Sequence, residues 1–108
     1  MLNMDIKYEI NITENAVKDL NNIYFYIADD LLESESAANL ITKLKEVIFS
    51  LEVMPSRYSL VNDSLLAEMG CRHINVKKYI ILYLIDEKTK TVNIMRIIHG
   101  RMDYAKYI

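Results

Sequence analysis

The sequence predicts an α+β domain: an N-terminal strand, an antiparallel helix hairpin packed on one face of a mainly antiparallel four-stranded sheet (β-α-α-β-β-β), and a short C-terminal tail helix. Three observations lead there. Residues 5–12 alternate apolar and polar, which is the period of a half-buried strand. Two stretches then carry apolar stripes at helical spacing, separated by a break of two or three residues. The last third, Cys71 to Tyr104, alternates again as three consecutive strands whose turns are too short for crossover connections, so they must pair antiparallel.

Each element follows from its residues. Asp5 to Ile12 sets Ile6, Tyr8, Ile10 and Ile12 on one side. Thr13 can cap a helix, with Glu14 placed in the first turn to favour the dipole. The first helical stripe is Ala16, Val17, Leu20, Ile23, Tyr24, Ile27, Ala28 and Leu31. Ser34 begins the second helix, with Ala37, Ala38, Leu40, Ile41, Leu44, Val47, Ile48 and Leu51 as its stripe, and Pro55 stops it. Residues 56–70 read as irregular, with a short extended piece at Tyr58–Val61, and Gly70 permits a turn into the next strand. Arg72, Ile74 and Val76 share one face of that strand. Lys77–Lys78 makes a tight reversal into Tyr79–Asp86, and Glu87–Lys90 turns into Val92–Ile98. Gly100 ends the meander, and Met102–Ile108 is predicted as the tail helix. The first strand must join the sheet at an edge or between the later strands. Helices on one face leave the other partly open, and ligand chemistry would be exposed there.

A length of 108 residues fits one domain, 1–108, with a modest core. An apolar content of 52% with eight Tyr and no Trp fits a folded chain. No apolar run approaches a membrane span and no signal peptide is read, so a cytoplasmic, reducing setting is expected. The single Cys71 excludes an internal disulfide. The net charge of −2 hides a division. Residues 1–54 carry four lysines against ten carboxylates, whereas residues 55–108 carry nine Lys and Arg against five. Such asymmetry marks either an anionic partner facing the basic half or solvated helix faces rich in Glu and Asp. Overall acidity weighs against tight, charge-driven binding along a nucleic-acid backbone.

No metal or cofactor is expected. His73 and His99 lack a third ligand at a recognisable spacing, and two glycines cannot make a phosphate-cradling loop. Cys71 and His99 could form a nucleophile pair, but a lone cysteine more often behaves as a small core residue. The strongest cluster is Arg96, His99, Arg101, Asp103 and Tyr104, where the last strand leaves the sheet. His99 or Tyr104 could serve as general acid or base with the arginines holding a phosphate. The alternative has Arg96 and Arg101 paired with a carboxylate such as Asp103, and the Tyr104 ring packed on the core.

The pattern R-x-I-x-V-x-x-Y-x-I-x-Y from Arg72 to Tyr83, I-x-R-I-I-H-G-R-x-D from Ile94 to Asp103, and P-x-R-Y at Pro55–Tyr58 resembles the RelE/ParE toxin superfamily. The resemblance covers nearly the whole chain and lies closer to the ParE-like branch. It implies a bacterial toxin of a type II toxin–antitoxin, plasmid-stabilisation system, with a cognate antitoxin as partner in a hetero-oligomer. The ParE-like branch implies binding and poisoning of DNA gyrase without covalent chemistry. The RelE-like branch implies ribosome-dependent mRNA cleavage, which would place His99, Arg101 and Tyr104 around the scissile phosphate. A third reading is a non-toxic interaction module of the same fold. RelE-like nucleases carry an arginine directly after the tyrosine that opens the third sheet strand. Here that tyrosine is Tyr79 and its successor is Ile80, which cannot stabilise a developing phosphate charge. The target-contacting set is therefore read as Arg72, Arg96, His99, Arg101 and Tyr104.

Overall fold

The computed structural model describes residues 6–100. Strand β1 spans Glu9–Ile12, helix α1 Glu14–Phe25, helix α2 Ser34–Ser50, helix α3 Ser64–Glu68, and strands β2, β3 and β4 span Arg72–Val76, Tyr79–Asp86 and Thr91–His99. The α+β class, the helix hairpin and the three-strand meander are as the sequence predicts. The tail helix at Met102–Ile108 lies outside the described residues.

The sheet order is β1-β4-β3-β2. β1 therefore joins at the edge beside the last strand. It runs parallel to β4, with Glu9 opposite Thr91 and Ile12 opposite Ile94. It is shorter than the alternation predicts, because the Tyr8 amide turns away to the Glu52 carbonyl at the end of α2, 2.8 Å away. β2–β3 and β3–β4 pair antiparallel, and a bulge at Met95 shifts the register between Leu82 and Tyr83. That extra residue puts both Ile94 and Ile97 on the helix-facing side.

Between the helices and the sheet lies the main core. Leu20 and Ile23 of α1, and Leu40, Leu44 and Ile48 of α2, pack on Ile74, Val76, Ile81, Tyr83, Val92 and Ile94. Thr13 starts α1 with its hydroxyl oxygen accepting from the Ala16 amide, and donates the same hydroxyl to the Ile94 carbonyl at 2.7 Å. One side chain thus caps the helix and ties it to β4. Val17 and Ala38, members of the predicted stripes, stay exposed. At its end α1 widens into a turn over Tyr26–Asp30, with the Leu31 amide bonded to the Tyr26 carbonyl five residues back.

The P-x-R-Y stretch has a structural task. Arg57 donates to the Ser50 carbonyl at the end of α2 and to the Val53 and Met54 carbonyls just after it, tying the chain that leaves the helix back onto its terminus. The Pro55 carbonyl accepts the buried Tyr83 hydroxyl at 2.6 Å. Downstream, residues 56–70 are more ordered than the sequence suggests. Ser59 and Val61 bond to the outer edge of β2, and Leu60 bridges Arg72. Asp63 caps the five-residue α3 by accepting from the Leu66 amide at 3.0 Å. This segment lays Val61 and Leu66 with Cys71 over Leu82 and Ile98, a second small core on the sheet face opposite the hairpin. The face expected to be partly open is thus covered over this part of its area.

Candidate functional site

Of the predicted cluster, Arg96 and His99 sit where β4 runs past the end of β1. Among the described residues no strand pairs with that side of β4 beyond Ile12, and α1 takes over the task. Asp19 accepts from the Ile97 amide at 2.9 Å and from the Arg96 guanidinium at 2.7 Å (Nε to Oδ2) and 2.8 Å (Nη2 to Oδ1). The fork-to-fork geometry gives strong, directional charge-assisted bonds. Asp19 is nearly buried, on the same helix stripe as Ala16, Leu20 and Ile23. Arg96 is thus held by Asp19, and the carboxylate partner suggested by the sequence, Asp103, lies outside the described residues. A lone aspartate inside an apolar stripe was the available signal for this pair.

His99 lies directly opposite Tyr79, their rings edge to face with centroids 5.6 Å apart. Both face the α1 end of the sheet, beside Tyr26, where burial, with a smaller electrostatic influence from Tyr26, pushes the Tyr79 phenol above its ordinary value. Arg72 points into the helix-facing layer and donates to the Tyr58 carbonyl at 2.6 Å. Arg101 and Tyr104 lie outside the described residues. Of the five predicted contact residues, Arg96 and His99 come together at one end of the sheet, and Arg72 sits apart on β2.

Cys71 is fully buried in the second core, on the opposite sheet face from His99. Burial pushes its thiol up to about 11. The two cannot form a nucleophile pair, since a thiolate is needed and the sheet separates them. Among the described residues no three His, Cys, Asp or Glu side chains converge on a metal position, and no helix is long and apolar enough to cross a membrane.

Desolvation also pushes the Tyr83 phenol up to about 12, against the opposing pull of Arg72 and Arg57. Both groups hold their protons more tightly folded than unfolded, so their contribution is fully present at neutral pH and is lost as pH rises. For Cys71 the loss runs from about 9 to 11, and for Tyr83 from about 10 to 12. Urea midpoints followed between pH 8 and 11 should fall steadily above pH 9. Tyr83→Phe is expected to flatten the upper limb while lowering neutral stability by about 1–3 kcal/mol, because the buried Pro55 carbonyl loses its donor.

The remaining part of the sheet's second face decides what chemistry it can support. Alternation puts His73 and Asn75 of β2 and Ile80, Leu82 and Leu84 of β3 there, beside Ile98. Neither strand contributes a lysine or arginine to it, and Ile80 packs against the second core.

The sequence matches the family described as "ParE toxin of type II toxin-antitoxin system, parDE" over residues 10–104. The chain belongs to this family. It is the toxin component of a type II toxin–antitoxin system. Solved structures share the fold of the toxin. A chain of the toxin–antitoxin complex RelBE2 from Mycobacterium tuberculosis is 23% identical with a TM-score of 0.66, over 88% of this chain and 93% of that one. A chain of the chromosomal ParDE system from P. aeruginosa is 18% identical with a TM-score of 0.71, over 88% and 98%. A mutant of the E. coli toxin RelE in the free state is 17% identical with a TM-score of 0.54, over 94% of each chain. No curated protein matches the sequence. These likenesses span both branches of the superfamily, so the choice of target rests on the toxin's own surface.

Proposed function

We propose that the toxin acts in the ParE manner, by binding and poisoning DNA gyrase without covalent chemistry, and that a cognate antitoxin holds it inactive in a hetero-oligomeric complex. The observation that carries this reading is the aliphatic side chain of Ile80, within a sheet face to which β2 and β3 bring no cation. RNA cleavage needs preorganised positive charge at the phosphate as the transition state forms. Removing one such donor typically costs on the order of 10²–10³ in rate. Arg96 and Arg72, the nearest arginines on the strands, are bonded to Asp19 and to the Tyr58 carbonyl. Contact with a protein target asks less of them, since an arginine whose guanidinium is bonded on one side can still present charge and a planar face at an interface. The proposed contact set is His99 and Arg96 with Arg101 and Tyr104 of the tail, and Arg72 at the far side.

The test is a pair of assays on purified toxin, namely gyrase supercoiling and cleavage of mRNA on translating ribosomes. Loss of supercoiling with intact mRNA is the expected result. Codon-positioned cleavage with supercoiling unaffected overturns the reading in favour of the ribosome, and inactivity in both assays favours a module that has lost toxicity.

A further inference from the structure

We propose that the Lys77–Lys78 turn and the apolar trough beside it are a docking site for an acidic, aliphatic segment of the antitoxin, an assignment that rests on the toxin–antitoxin reading above. Two depressions of about 390 Å³ and one of about 440 Å³ meet at Tyr79 and His99. One of them runs between Tyr26, Leu31 and Leu40 and ends at the two lysines. Its outer wall is unusually apolar for a surface, with Tyr26 and Leu31 about half exposed.

The turn itself supplies the second observation. Lys77 holds a left-handed backbone, φ +54°, in a two-residue reversal where asparagine or glycine is the low-strain choice. A lysine there carries a modest backbone cost that glycine would not. Lys90 adopts the same conformation in the next turn, φ +52°, but there its ammonium is paired with Glu87 at 3.0 Å and lies over the Tyr8 ring. Among the described residues Lys77 and Lys78 form no ion pair. The turn is also held in place, since the Gly100 amide donates to the Lys78 carbonyl at 2.8 Å. A Cβ at Gly100 would stand 3.4 Å from that oxygen. Two cations are therefore fixed at the mouth of an apolar trough.

A peptide with an aliphatic side chain flanked by carboxylates satisfies both halves of the site. A nucleic-acid strand fits less well, because the walls formed by Tyr26, Ile27, Leu31 and Leu40 suit an aliphatic side chain and offer nothing to a polyanionic backbone.

The experiment measures affinity by calorimetry between the full-length toxin and the protein encoded by the adjacent reading frame, at about 50 and about 300 mM salt. Lys77→Gly relieves the backbone and is expected to leave the thermal midpoint unchanged or raised, yet weaken binding roughly fivefold at low salt. Lys77→Gly with Lys78→Gln should weaken it tenfold or more, and both losses should shrink at high salt. Equal affinities for all three proteins at both salts overturn the site while the toxin–antitoxin reading stands, because the complex still forms. Failure of the wild-type pair to bind overturns that reading and the site with it. Two further measurements name the competing occupants. Binding of a ten-nucleotide RNA that the lysine variants abolish, with antitoxin affinity unmoved, assigns the trough to nucleic acid. A self-association in sedimentation that only the variants lose, again with antitoxin affinity unmoved, assigns it to a second copy. Either result overturns the proposal.

Discussion

Asp19→Ala is expected to destabilise the toxin by about 2–4 kcal/mol, seen as a fall in thermal midpoint of roughly 10–20 °C for a domain of this size. One carboxylate accepts three bonds, two from the Arg96 guanidinium and one from the Ile97 amide. Removing it strips a mostly buried cation of two charge-assisted bonds and leaves a buried amide without its acceptor. The loss of the amide bond matters as much as the loss of the ion pair, because among the described residues no strand lies on the side of β4 to which the Ile97 amide points. Asp19→Asn separates the two effects. It can still accept from the Ile97 amide but no longer balances the arginine, and should recover part of the loss. A drop under about 0.5 kcal/mol for Asp19→Ala, measured by urea unfolding, would show that the pair is a surface-like contact of little weight.

Leu44→Ala is expected to cost about 2–5 kcal/mol. Leu44 is fully buried at the middle of α2 and belongs to the main core with Leu40, Ile48, Ile81 and Tyr83. Truncation removes buried methyl groups and leaves a cavity that close-packed neighbours fill only in part. Against a total stability of about 5–15 kcal/mol, that is a large fraction of what holds the domain folded. Leu65→Ala serves as the control, since Leu65 is 67% exposed on α3 and its truncation should shift the urea midpoint very little. Similar losses at the two positions would mean that Leu44 is not packed as described.

Much of the fold was legible because it is written locally. Apolar residues of α1 and α2 recur at helical spacing, Thr13 marks a helix start, and the alternation from Arg72 to His99 specifies three strands and their turns. Where the reading fell short, the signal was short or hidden by a competing one. A five-residue helix shows no periodicity, so Ser64–Glu68 read as loop even though Asp63 is an ordinary cap. Alternation from Asp5 suggested a longer first strand, but the bond from the Tyr8 amide to the Glu52 carbonyl diverts its start. The cluster at the end of β4 was visible as a group of residue types, while the assignments within it were not. Arg96 finds its carboxylate 77 positions earlier in the chain.

By itself, then, the sequence determined the class of the domain, the elements and the family pattern, because each depends on residues within a turn or two of one another. Tertiary structure decided the rest. It set β1 parallel beside β4, placed the bulge at Met95 that turns both Ile94 and Ile97 inward, and gave Asp19 the strand edge that β1 does not reach. It also put Ile80 on a face that β2 and β3 leave without positive charge, and brought Lys77 and Lys78 to the mouth of an apolar trough with Tyr26, Tyr79 and His99. Each of these depends on groups far apart in the chain meeting at a fixed register. No local pattern encodes such a meeting, because it follows from how the whole core packs.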